Sequence, residues 1–138
     1  MVSPTPSDIV QMAQRIYKTR YFDRWTRGTS LSDERLRKVV TEIAGGLIDA
    51  DLGGGIIKKR AAGGSHGKRG GYRLLIATNK RDRWFFVAGF QKNERDNITP
   101  RELTALQAYA AELLKLSPEQ LDTYVTSKAI YEISENKG

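Results

Sequence analysis

The sequence predicts an α+β domain: an N-terminal strand and two helices, an antiparallel sheet of three further strands, then C-terminal helices. Three observations carry this. Apolar residues recur at helical spacing, with cap residues ahead of them, before residue 45 and again after residue 99. β-branched and aromatic runs concentrate between residues 55 and 90. Two of those runs are separated by only Lys80, Arg81 and Asp82, a hairpin-length connection. The 138 residues fit one domain, large enough to bury a core without staples.

In chain order, residues 1–14 read as a leader, Pro- and Ser-rich over 1–7 and with room for a helical turn or two over 8–14. Met12 is an alternative start. Residues 15–138 form the single domain. Residues 15–20 (RIYKTR) alternate apolar and polar side chains as a short strand does. Residues 21–27 (YFDRWTR) suit a short helix that places Phe22 and Trp25 on one face. Ser32 is an N-cap, followed by Asp33 and Glu34, which favour a helix N-terminus. Leu36, Val39, Val40 and Ile43 form its apolar stripe, and Gly45–Gly46 stops it. Strands are expected at 55–60 (GIIKKR), 71–79 (GYRLLIATN) and 83–90 (RWFFVAGF), with a Gly-rich loop at 61–70 (AAGGSHGKRG). Thr99, Pro100 and Glu102 supply a capping box for a helix carrying Leu103, Leu106, Ala110, Leu113 and Leu114. A second such signal, SPEQ from Ser117, opens a final helix through about Ile130.

Composition removes many functions. The chain has no cysteine, so disulfides, Cys-ligated zinc and thiol catalysis are excluded and a reducing, cytoplasmic setting is expected. A single histidine, His66, argues against a protein-built zinc site, and neither a metal nor another cofactor is expected. No apolar run is long enough to span a membrane. The net charge of +7 is concentrated: residues 55–95 hold eleven basic side chains against Asp82 and Glu94, a net +9, while the flanks carry +1 and −3. Such a basic segment points to a polyanion, most often nucleic acid.

Ten of the thirteen glycines lie between Gly45 and Gly71, yet no phosphate-loop pattern fits. The Walker spacing would need a glycine at Ala62 and Ser or Thr at Arg69. The loop instead presents Lys68 and Arg69 to a polyanion. In GIIKKR, period-two alternation puts Lys58 and Arg60 on one face and Lys59 on the other. Arg73 shares its strand face with Leu75 and Ala77; a cation there is costly unless it meets a groove, a partner or a ligand. Its alternative is an ion pair, for which only Asp82 and Glu94 are near in sequence. Lys92 and Arg95 follow the last sheet strand and can reach the same face. No acid pair, Ser-His-Asp set or HExxH motif is present. Cations could still support RNA transesterification, in which the 2′-hydroxyl attacks its own phosphate. Arg73 would supply charge, and Lys58, Lys59 or His66 a proton acceptor, though a lone loop histidine is more often a bystander.

The segments DADLGGGIIKKR (49–60), GGYR (70–73) and FQKNERDNI (90–98) resemble the RelE/ParE superfamily of toxins from bacterial type II toxin–antitoxin modules, in its RelE-like branch. The resemblance covers about residues 15–121. It implies a small basic domain of this element order, a metal-free mRNA endoribonuclease acting with the ribosome in the 30S A site, and neutralisation by a cognate antitoxin, which can carry a helix-turn-helix DNA-binding domain. The catalytic set it implies is Arg73, a strand pair on Lys58 and Lys59 or Arg60, Lys92 and Arg95; RNA contacts are expected from Arg60, Lys68, Arg69, Tyr72 and Asn93. Asn93 falls where RelE has a second arginine, which Arg95 could replace, and the RelE tyrosine position falls near Thr99. Two other functions fit the same fold: a ParE-like inhibitor of DNA gyrase, and a non-catalytic nucleic-acid-binding module.

Overall fold

The computed structural model describes residues 15–62, 71–95 and 97–133. Its elements are β1 (Arg15–Thr19), α1 (Arg20–Thr26), α2 (Asp33–Ala44), β2 (Ala50–Gly53), β3 (Ile56–Ala61), β4 (Tyr72–Thr78), β5 (Arg83–Gln91), α3 (Pro100–Leu114), α4 (Pro118–Thr126) and β6 (Ile130–Glu132). The six strands form one sheet in the order β2-β3-β4-β5-β1-β6. All neighbours are antiparallel except β1 and β5, which run parallel.

β4 and β5 carry the densest apolar runs, YRLLIAT and RWFFVAGFQ, and lie in the middle of the sheet with both faces covered. The pleat sends alternate residues to two separate cores. Tyr72, Leu74 and Ile76 of β4 join Trp84 and Phe86 of β5 under α1 and α2, against Phe22, Leu36, Val39, Val40 and Ile43. Leu75 and Ala77 join Phe85, Val87 and Phe90 on the other face, against Ala110 and Leu113 of α3 and Leu121 of α4. A register shift between Leu75 and Ile76 pairs them with Ala88 and Phe86, which leaves Val87 as the extra residue of a bulge.

The caps read from the sequence form. Ser32 Oγ accepts from Arg35 N–H at 3.2 Å, and both Thr99/Glu102 and Ser117/Gln120 close reciprocal capping boxes. Lys18, only 14% exposed, ties β1 to the first helix pair through Asp23 of α1 (2.9 Å) and Asp33 at the start of α2 (2.8 Å). Burial alone would lower its pKa, but the two carboxylates outweigh this and hold it above the ordinary lysine value.

Two strands go beyond the expected arrangement. β2 is too short and too acidic to read as a strand alone; it forms because Gly53, Gly54 and Gly55, with φ of 85°, 61° and 85°, turn the chain back onto β3. Gln107 of α3 locks that turn by donating to the carbonyls of Leu52 (3.1 Å) and Gly53 (3.2 Å). The last helix stops at Thr126 instead of continuing to about Ile130, and Ile130–Glu132 pairs antiparallel with β1 as β6. A three-residue strand is too short to show period two, so only the free edge of β1 reveals it. The expected leader, and with it Met12, lies outside the described residues. Among the described residues no helix is long and apolar enough to cross a membrane.

Trp25 of α1 lies against β5 where Gly89 offers no side chain; a Cβ there would fall 2.4 Å from the indole. Gly89→Ala should therefore displace Trp25 and cost about 1–3 kcal/mol, read from urea denaturation. An unchanged midpoint would show that the indole does not rest on β5 in solution.

Candidate functional site

The β3–β4 register brings the predicted cations together. Lys58 pairs with Leu75, Arg60 with Arg73, and Arg73 in turn with Phe90 of β5. Directly paired residues share a face, so Lys58, Arg60 and Arg73 all lie on the α3/α4 side of the sheet. Two arginines directly opposite each other repel, and such a pair is stabilised by an anion. Arg60 finds one in Asp49, which precedes β2, at 3.3 Å. The arginine side chain is still 69% exposed.

Lys59 points the other way. It is 12% exposed, pairs with Glu42 of α2 at 3.0 Å, and donates to the Arg60 carbonyl at 3.1 Å. It belongs to the packing of α2 on the sheet and is separated from Arg73 by the sheet itself. Tyr72 is likewise placed apart: its hydroxyl accepts from Ser30 N–H at 3.3 Å and its ring meets Trp25 edge-on at 5.7 Å, in the core opposite Arg73. At 8% exposure it has almost no surface to offer RNA, which corrects that expectation.

Lys92 and Asn93 are exposed in the turn after β5. That turn adjoins the start of β4, because Lys92 N–H donates to the Gly71 carbonyl at 3.2 Å. Arg95 is exposed but engaged. It makes two bonds to Glu102, at 3.2 and 2.5 Å, donates to the Asn97 carbonyl at 3.0 Å and covers the Phe90 ring at 5.5 Å. Catalysis by Arg95 would require leaving this pair. His66, Lys68 and Arg69 lie outside the described residues. The described ends of their segment, Ala62 and Gly71, flank Arg60 and Arg73, and Arg35 of α2 holds the Ala62 carbonyl at 2.6 Å.

Sequence reasoning missed a groove on this same face. A cavity of about 390 Å³ opens between α3, the β4–β5 pair and the start of α1, lined by Tyr21, Leu75, Ala88, Phe90, Leu106 and Tyr109. Its residues come from five elements and the segments between them, so no linear motif marks it. The one available signal was Tyr21, an aromatic next to Phe22 and so turned away from the face that Phe22 and Trp25 bury.

The Arg95 guanidinium and the Thr99 backbone N–H draw the Glu102 carboxyl down to about 2. Its folded pKa is thus below the unfolded value, so its contribution is present above about 4.5 and lost as pH falls toward about 2. Between pH 5 and pH 2 the wild type should lose more melting temperature than Glu102→Gln, whose side chain does not titrate. Parallel curves would show that the pair does not form.

Fold and site together define a small α+β domain with a cationic row at one end of its sheet. The family model for the RelE toxin of the RelE/RelB toxin–antitoxin system matches residues 14–133, and the chain belongs to that family. Membership makes it the toxin member of a toxin–antitoxin pair and implies an antitoxin partner. Comparison with curated proteins gives no match.

Proposed function

We propose that this toxin is a metal-free endoribonuclease that cleaves mRNA on the ribosome and so arrests translation in the cytoplasm. The observation that carries the reading is the cross-strand Arg60–Arg73 pair with Lys58 on the same face. A phosphodiester set over that row meets charge where it needs it. The RNA 2′-oxygen attacks the adjacent phosphorus and loses its proton; the P–O5′ bond breaks, and the leaving 5′-oxygen takes up a proton. The products are a 2′,3′-cyclic phosphate and a free 5′-hydroxyl. Arg73 stabilises the added negative charge of the phosphorane, which is greater than that of the ground-state phosphate. Lys58 is the lysine of the β3 pair on Arg73's face, and so the one of the two placed beside the reacting phosphate. Arg60, Lys92 and Asn93 hold the neighbouring RNA, together with Lys68 and Arg69 of the Gly-rich segment.

Arg73→Ala should lower cleavage by about 10²–10³-fold, the loss typical of removing one transition-state donor. Primer extension on a translated transcript, after induced expression, reads this as loss of codon-phased cleavage. Intact mRNA together with DNA damage would favour gyrase as the target instead. Lys59→Ala provides the contrast: it should cost about 1 kcal/mol of stability through the lost Glu42 pair and leave cleavage within about twofold. Equal loss of cleavage in both variants would overturn the division of labour across the sheet.

Ribosome binding should also weaken steeply between about 50 and 200 mM salt, because each phosphate contact releases counterions. A flat salt response, measured by co-sedimentation, would remove the basic row from the interface.

A further inference from the structure

A second cavity, of about 270 Å³, lies on the α1/α2 side of the sheet, at the opposite end of β4 from Arg73. Ile43 and Ala44 at the end of α2, Gly46, Ile48, Lys80 of the β4–β5 turn and Trp84 of β5 line it. Its walls are chiefly apolar, and Lys80 is engaged with Asp51 at 2.6 Å. Leu47, between two of the lining residues, is 62% exposed, one of two large hydrophobic side chains so exposed among the described residues. The Trp84 indole is buried, and its N–H finds no acceptor among the described residues. An exposed leucine beside an apolar cavity marks a contact surface. The chain enters β1 at this same end. Arg15 N–H donates to the Asp82 carbonyl at 2.7 Å, and the parallel register sets Arg15 beside Arg83 and Ile16 beside Trp84. Paired strands lie about 4.8 Å apart, so residue 14 joins the fold within roughly two such spacings of the indole wall. Each extended residue reaches about 3.5 Å further, which brings Met12 within range of the cavity and Ile9 within range of Leu47.

We infer that residues 8–14 (DIVQMAQ) dock back onto this cavity, with Met12 inside it and Ile9 against Leu47. Ile9, Met12 and Ala13 stand at the spacing of one helix face, and methionine is the side chain that best fills an irregular apolar space. A cavity of about 150 Å³ holds a benzene ring, so this one has room for the thioether chain and part of a second side chain. Tether and charge select this occupant. A segment joined a few residues away is present at an effective concentration of about millimolar without any partner. The rim carries Lys80 and, next in sequence, Arg81, while the only charged side chain among residues 1–14 is Asp8. A second copy of the chain would instead bring a net +7 against those cations. The docked segment ties the end of α2 to the β4–β5 hairpin, so residues that read by composition as a leader become part of the fold. It covers the face opposite Lys58, Arg60 and Arg73, and it stands or falls independently of the RNA chemistry proposed above.

The test uses the full chain, which has no cysteine of its own. In a Met12→Cys/Leu47→Cys variant, a short bismaleimide should link the two thiols within one chain, about tenfold or more faster than in a Ser3→Cys/Leu47→Cys control. Equal rates in the two variants overturn the proposal, and links formed between chains overturn it in favour of a second copy at the cavity. A thermodynamic cycle tests the contact without cross-linking. Ile9→Asp and Leu47→Asp should each lower the melting temperature by about 3–6 °C, and the double variant by no more than the larger single loss, because both remove the same contact. Neither substitution touches the described core, so each variant should fold, which circular dichroism verifies. A bare surface predicts no loss from Ile9→Asp, and independent effects predict additive losses; either result overturns the docking. Loss of cleavage in Arg73→Ala has no bearing on these measurements, so the two readings fail separately.

Discussion

The structure depends on the burial of β4 and β5 on both faces. Each strand must satisfy two cores at once, so a slip of one residue would send Leu74 and Ile76 into the layer built for Leu75 and Ala77. This constraint holds the register rigidly, and β3 inherits it through Ile56, Ile57 and Ala61, which are buried on alternate faces. The positions of Lys58, Arg60 and Arg73 are then consequences of the pleat. Cations placed on a scaffold this over-determined keep their spacing even where their mutual repulsion opposes it.

The two faces of the sheet divide the work. The α1/α2 side is closed by ion pairs as well as by apolar packing: Lys18 holds Asp23 and Asp33, and Lys59 holds Glu42. The α3/α4 side is filled at the end where Ala110 and Leu113 lie, and open where the first half of α3 stands off from β5. Gln107 seats α3 on the β2–β3 turn, and the Arg95–Glu102 pair secures its N-terminus. With α3 held at these two places, the groove between it and the sheet is a built feature of the fold.

Much of this was legible in the chain. The helix caps at Ser32, Thr99 and Ser117, the β4–β5 hairpin and the paired strand cations all declare themselves, because capping, turn length and alternation act between residues close in sequence. Alternation also separated Lys58 and Arg60 from Lys59 without any structure. It separated Tyr72 from Arg73 as well, but it could not say that Ser30 and Trp25 would bury the tyrosine. β2 and β6 escaped notice because each is short and pairs only at an edge that the rest of the fold provides.

By itself, then, the sequence determined an α+β domain with no cysteine, one histidine and a basic centre, and it determined which strand residues share a face. Those properties are set by composition and by periods of two and 3.6 residues, which are local. Tertiary structure alone decided that Arg60 stands opposite Arg73, that Arg95 is held by Glu102, and that a groove lies beside them. Each of these joins elements far apart in the chain, and their distances are fixed by packing against two cores, which no window of sequence contains.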